Sequence, residues 1–197
     1  DIPQGDGVEQ GDALSPAFFA LALHDSLQQA QSSLRDGERL FAYLDDVFIL
    51  APPRRIYAAF RSVSEAIALG AGVQTNFGKT RCWSRAGGPP PPGFSTETLG
   101  MWTGDLPLPQ RGLLVLGSPL GSPEFVARHV AERMTTESAL LDQIALLPDT
   151  QCAWLLLSMC ANPRADHLLR SLPPSQSLPY AETHDSAVWR IFFASLR

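Results

Sequence analysis

Asp45 and Asp46 stand side by side between two runs of strand-forming residues, Leu40, Phe41 and Tyr43 before them and Val47, Phe48, Ile49 and Leu50 after them. The only strongly polar pair falls where the chain must reverse, which predicts an antiparallel hairpin over 39–50 with both carboxylates at its tip. Two neighbouring anions repel by about 1 kcal/mol even in water at ~4 Å, so such a pair at a strand tip suits a bound divalent cation. Turn chemistry is the competing explanation, because aspartate side chains bond to nearby backbone amides and favour reversals. Other polar residues have spacing worth weighing. Gln10-Gly11 offers an amide beside a glycine that lets backbone approach a ligand closely, or else an ordinary polar loop with Asp12. Lys79, three residues after Asn76, is either a cation aimed at an anionic ligand or a solvated loop lysine. His24, His129, His167 and His184 are scattered and form no triad or metal cluster, and Cys82, Cys152 and Cys160 form no CxxC pair.

The elements that must position these residues are readable from periodicity. Residues 1–14 are rich in Gly and Asp and read as a loop. Ser15 is suited to cap a helix with Pro16 at its first position, and Phe19, Leu23, Leu27, Ala30 and Leu34 recur as one apolar stripe until Arg35 and Gly37. Pro52-Pro53 closes the hairpin, and a second amphipathic helix carries Ile56, Phe60, Val63 and Ile67, with Gly70 and Gly72 at its exit. Both helices are expected on one face of the hairpin sheet. A short strand is expected near 80–84, then an exposed, stiff polyproline insertion at 87–93. Residues 112–120 are apolar enough for strand, and Gly117 and Gly121 bracket Pro119 in a tight-turn composition. From Pro123 to Arg170 the pattern turns helical; Pro163 and Pro173-Pro174 break it, and a Ser/Pro stretch leads to a last helix opened by Asp185.

Composition bounds the chain. At 197 residues, with 45% hydrophobic residues, it has material for one good-sized domain and an appendage. Its formal net charge of −5 has the wrong sign for a self-sufficient nucleic-acid binder, since phosphate contacts come from Lys and Arg. The cysteines read as buried thiols of a reducing compartment. The sequence holds neither an apolar run long enough to cross a bilayer nor a signal-peptide pattern, so an intracellular site, nuclear or cytoplasmic, is expected.

Taken in order, Gln10-Gly11-Asp12-Ala13-Leu14-Ser15-Pro16, Tyr43-Leu44-Asp45-Asp46, Asn76 through Lys79, and Leu116-Gly117-Ser118-Pro119 resemble the successive palm motifs of reverse transcriptases, closest to the non-long-terminal-repeat retrotransposon and group II intron branch. The resemblance implies an α+β fold: a partial polymerase palm over 1–121, a helical thumb-like segment over 122–170, and a connector with a terminal helix over 171–197. It implies Asp45 and Asp46 as catalytic Mg²⁺ (or Mn²⁺) ligands, with Asp45 bridging the metals. Lys79 would lie toward the triphosphate, Gln10, Gly11 and Tyr43 beside the incoming nucleotide and primer end, and Leu116 and Gly117 in a primer-grip-like hairpin. The implied partners are an RNA template, a DNA primer and deoxynucleoside triphosphates. One departure stands out: the family's upstream catalytic aspartate sits on a strand before the glutamine motif, and only fourteen loop-like residues precede the helix here. The chain therefore reads as a fragment whose basic, template-gripping part lies upstream, inactive alone. A degenerate or domesticated palm remnant acting as a non-catalytic binding or structural module is the alternative.

Overall fold

The computed structural model describes residues 11–95 and 97–196. The fold is α+β, and the chain divides into two compact units. The first takes the described residues up to Arg81 together with Pro89–Trp102; the second takes Cys82–Gly88 and the residues from Thr103 onward.

In the first unit, helix α1 (Ser15–Ser33) leads to strands β1 (Arg39–Tyr43) and β2 (Asp46–Leu50), then to helix α2 (Ile56–Ala71). The strands pair antiparallel, Arg39 opposite Leu50 through Tyr43 opposite Asp46, across a two-residue turn at Leu44-Asp45. Alternation then sorts the side chains: Leu40, Val47 and Ile49 pack against a core of Leu23, Ala30, Val63 and Ile67 from the two helices. The expected hairpin and the first stripe are thus present, with Phe19, Leu27 and Leu34 joining the same cluster; of the second stripe Val63 and Ile67 join it, while Phe60 packs on Tyr57 and Phe77. Gly72 ends α2 in the left-handed conformation (φ +69°), where its missing Cβ removes the steric penalty.

Several local expectations are corrected. Ser15 does not cap α1. It lies inside the first turn and is buried, Leu14 occupies the cap, and Asp12 Oδ1 accepts the Leu14 amide (2.9 Å). Among the described residues, 80–84 builds no strand ladder; the Cys82 carbonyl instead accepts the Thr103 amide (2.9 Å). The proline tract is not a free rod, since Pro90 and Pro91 are half-buried and Phe94, just beyond it, packs on Tyr57 of α2 with ring centroids 5.2 Å apart.

In the second unit, β3 (Gly112–Val115) and β4 (Ser118–Gly121) form a second hairpin, followed by helices α3 (Pro123–Ile144), α4 (Thr150–Leu156), α5 (Asp166–Ser171) and α6 (Pro174–Ser195). Leu116 and Gly117 both take positive φ (+49° and +82°), the geometry of a tight two-residue reversal. This hairpin groups with the helices after it, so the first unit closes at Trp102 and not at residue 121. The cause is local: Gly112 and Gly121 face each other, and the Phe125 ring of α3 occupies the space where either Cβ would stand. The last helix also starts earlier than Asp185. It begins at Pro174, whose missing amide is harmless at a first position, and runs through Pro179, because Ser177, Tyr180 and Ile191 bury one side of it. The cysteines are not uniformly buried either. Cys82 is half-buried and burial pushes its thiol up to about 11, whereas Cys152 and Cys160 are exposed.

Gly70 of α2 shows how closely the first unit's helices approach. A Cβ there would collide with the Ser26 hydroxyl of α1, and Ser26 is buried at that contact. Gly70 has ordinary helical backbone, so a Gly70→Ala change improves helix propensity while forcing α1 and α2 apart. Overpacking of this kind typically costs 1–3 kcal/mol, so Gly70→Ala should lower stability in a denaturant melt; a gain of the ~1 kcal/mol expected from propensity alone would contradict the close packing.

Candidate active site

The tip of the first hairpin is built by a conformation most residues avoid. Leu44 sits at φ +52°, and for a side chain with a Cβ this costs about 1–2 kcal/mol. It sets Asp45 within the turn and Asp46 as the first residue of β2, directly opposite Tyr43. Both carboxylates are exposed, and Tyr43 is 61% exposed beside them. Among the described residues neither carboxylate forms a hydrogen bond or an ion pair. That separates them from the chain's turn-forming acids. Asp12 accepts the Leu14 amide, and Asp149 caps α4 by accepting the Cys152 amide (2.8 Å). Asp45 and Asp46 hold no backbone group, so the turn does not need their charge.

The other predicted residues are placed as follows. Lys79 is exposed on the loop after α2, where Asn76 shapes the turn: the Lys79 amide donates to Asn76 Oδ1 and to its carbonyl, 3.2 Å each. Phe77 pins that loop to α2 by edge contact with Phe60, centroids 5.8 Å apart. Lys79 belongs to the same unit as the carboxylates but makes no ion pair with them. Gly11 takes φ +101°, and no described residue lies where a Cβ would stand; Gln10 lies outside the described residues. Leu116 and Gly117 stand at the tip of the second hairpin, in the other unit, where His167 Nε2 lies beside Gly117 and 3.1 Å from Ser118 Oγ. Among the described residues no three His, Cys, Asp or Glu side chains gather to hold a metal. The tip therefore presents two exposed carboxylates adjacent in sequence, with no third His, Cys, Asp or Glu beside them among the described residues. Among the described residues no helix is long and apolar enough to cross a membrane.

The chain is 28% identical over 166 residues, 84% of its length, to the 132 kDa protein of the retrotransposable element SLACS from Trypanosoma brucei gambiense. It spans 13% of that relative's length. No family model matches the chain, and no solved structure matches it.

Sequence reading missed the group that fixes the base of the hairpin. Glu38 is 1% exposed; Oε2 accepts the Arg35 amide (3.0 Å) and Oε1 the Arg55 Nε (3.0 Å), tying the end of α1, the start of β1 and the start of α2 together. A glutamate before a strand carries no sequence signal for burial; the nearby Arg35 and Arg55 are the only hint. The Arg35 amide, aided by the Arg55 guanidinium and opposed by burial, holds the Glu38 carboxyl below its ordinary range. Because the folded value is the lower one, the stabilisation is complete above the unfolded value of about 4.3 and is lost as pH falls through the folded value. Glu38→Gln should thus lose about 1–3 kcal/mol at neutral pH. In thermal melts the gap from wild type should close in acid, and a pH-independent gap would refute the charge-based clasp.

Proposed function

We infer that the chain is a segment of a retroelement reverse transcriptase, an RNA-directed DNA polymerase, and that Asp45 and Asp46 are its share of the metal-binding carboxylates. The observation that carries this reading is the state of the pair: two adjacent acids, one in a strained two-residue turn and one opening β2, exposed, with no hydrogen bond or ion pair among the described residues. Backbone strain persists where surrounding structure enforces it, and such sites concentrate at functional positions. The order of the motifs and the similarity to a retrotransposable element protein support a retroelement-related role. Divalent cations at such a site would lower the pKa of a primer 3′-hydroxyl and balance the charge of a triphosphate. Within this chain, Asp45 and Asp46 would hold them in part, Tyr43 would flank the primer end, and Lys79 would meet the triphosphate.

The donor set favours a specific arrangement in the parent protein. Carboxylates for two cations must come from more than one strand, and this hairpin provides one turn. Its two edges differ. On β1 the Leu40 amide already donates to Gln31 Oε1 (3.0 Å), while β2 pairs with no strand besides β1 among the described residues. A carboxylate-bearing strand of the parent would dock beside β2. The incomplete donor set is also what favours the second reading, a palm remnant retained as a binding or structural module.

Primer extension separates the two. The isolated chain should show no templated extension with Mg²⁺ or Mn²⁺. In the longer parent, Asp45→Asn should abolish extension, because the amide keeps the turn and removes the charge; Lys79→Ala should be milder, about 10²–10³-fold in rate. Extension unchanged by Asp45→Asn, with the melting temperature intact, would leave the binding-module reading standing.

A further inference from the structure

Helix α6 carries an exposed stripe that nothing above uses. Leu178, Glu182, Asp185, Trp189 and Phe193 recur at three- and four-residue spacing, so they share one face, opposite the side that Ser177, Tyr180, His184 and Ile191 bury. Leu178 is 57% exposed, Trp189 58% and Phe193 59%. The rings hold one another in place. Trp189 stacks on Phe193 with centroids 5.8 Å apart, and both touch Phe192, which Trp154 of α4, itself half exposed, meets edge-on at 5.6 Å. Thr150 Oγ1 donates to the Ser195 carbonyl (3.2 Å), fixing the start of α4 against the end of α6. Contiguous exposed apolar surface of this kind marks an interaction site. Two acids stand within it. Glu182 forms no ion pair among the described residues, and Asp185 has only the buried His184 ring within reach, Nδ1 lying 3.9 Å from Oδ1. Arg190, beside Trp189 in sequence, is already paired with Asp142.

We propose that this stripe docks a basic amphipathic helix of a partner protein, its apolar residues seated on Leu178, Trp189 and Phe193 and its Lys or Arg side chains meeting Glu182 and Asp185. Such a helix presents apolar anchors at i, i+3, i+4 and i+7, the spacing that the stripe itself has. The charges select the occupant. A nucleic-acid strand would bring phosphates against both acids. A second copy of the chain would bring the same stripe, which holds no cation, and leave both acids unmatched. The area agrees: Trp154, Trp189 and Phe193, each a little over half exposed, offer roughly 200–450 Å², well below the ~800 Å² per partner of a standard interface between two globular faces. The proposal goes beyond the polymerase reading and rests on none of it.

Two labelled synthetic peptide helices with the same leucine face, one with lysine and one with glutamate on its polar face, test it by fluorescence anisotropy with the full chain. The lysine peptide should bind saturably and about tenfold more tightly than the glutamate peptide at low salt, and the difference should shrink as salt screens it. Trp189→Ala should weaken lysine-peptide binding about 5- to 30-fold, and Leu69→Ala, exposed in the other unit, should change nothing. Glu182→Lys combined with Asp185→Lys should reverse the preference, a gain of glutamate-peptide binding that no loss of folding can produce. Equal affinity for the two peptides, a preference that survives the double reversal, affinity indifferent to Trp189→Ala, or sedimentation showing a dimer that Trp189→Ala dissociates would each overturn the proposal.

Discussion

A two-stranded hairpin is marginal in water, and the first hairpin stands because α1 and α2 bury one of its faces. Leu40, Val47 and Ile49 meet Leu23, Ala30, Val63 and Ile67, and a fully buried aliphatic side chain contributes on the order of 1.5–3 kcal/mol. Everything at the tip inherits its position from that contact. The Gly70–Ser26 approach sets how close the helices come, and Glu38 ties helix ends to strand start, so the strands cannot slide without breaking a buried carboxylate's hydrogen bonds. A slip of one residue would also turn Leu40, Val47 and Ile49 to solvent and Asp46 into the core, which the register in effect forbids.

The two hairpins use the same turn length under different constraints. At the second tip, Leu116 is followed by Gly117, which takes its positive φ without penalty. Both tips set a leucine in the strained region, Leu44 at φ +52° and Leu116 at φ +49°; at the first a carboxylate follows it, and five paired residues of ladder hold what the turn resists. The second hairpin is instead held from outside, by Phe125 resting on Gly112 and Gly121 and by His167 at the tip. Strain beside paired acids, with no local hydrogen bond to justify them, is what distinguishes the first tip from an ordinary reversal.

The parts of the fold legible in sequence were those with a period. Phe19 through Leu34 and Ile56 through Ile67 repeat at helical spacing, and the hairpin alternates on both arms, so burial followed pattern. Positions decided by competition were not legible. Asp12 outcompetes Ser15 for the start of α1, and Asp149 starts α4 in a phase that leaves Cys152 exposed although cysteine usually lies inside. Pro179 loses one helix bond near the start of α6, and the buried Tyr180, donating to Glu137 Oε2 (2.7 Å), outweighs that loss. Glu38 was illegible because burial of a charge depends on partners that only the fold assembles. At the candidate site, the tip carboxylates were legible from residue type; their lack of a hydrogen bond or ion pair among the described residues, which separates them from turn formers, was not.

Net charge is a sum that hides where the charges stand. Much of the chain's charge cancels locally: Arg61 pairs with Glu65, Arg128 with Glu132, Arg133 with Glu137, Arg170 with Asp166 and Arg190 with Asp142. On the first hairpin the charged groups outside any ion pair among the described residues separate by sign, Asp45 and Asp46 at the tip and Arg39 at the base. From Arg39 to Tyr43 the strand rises about 14 Å at ~3.4 Å per residue, beyond the ~8 Å over which exposed charges act at physiological salt. The two ends are therefore electrostatically independent, one anionic and one cationic. The −5 total describes neither.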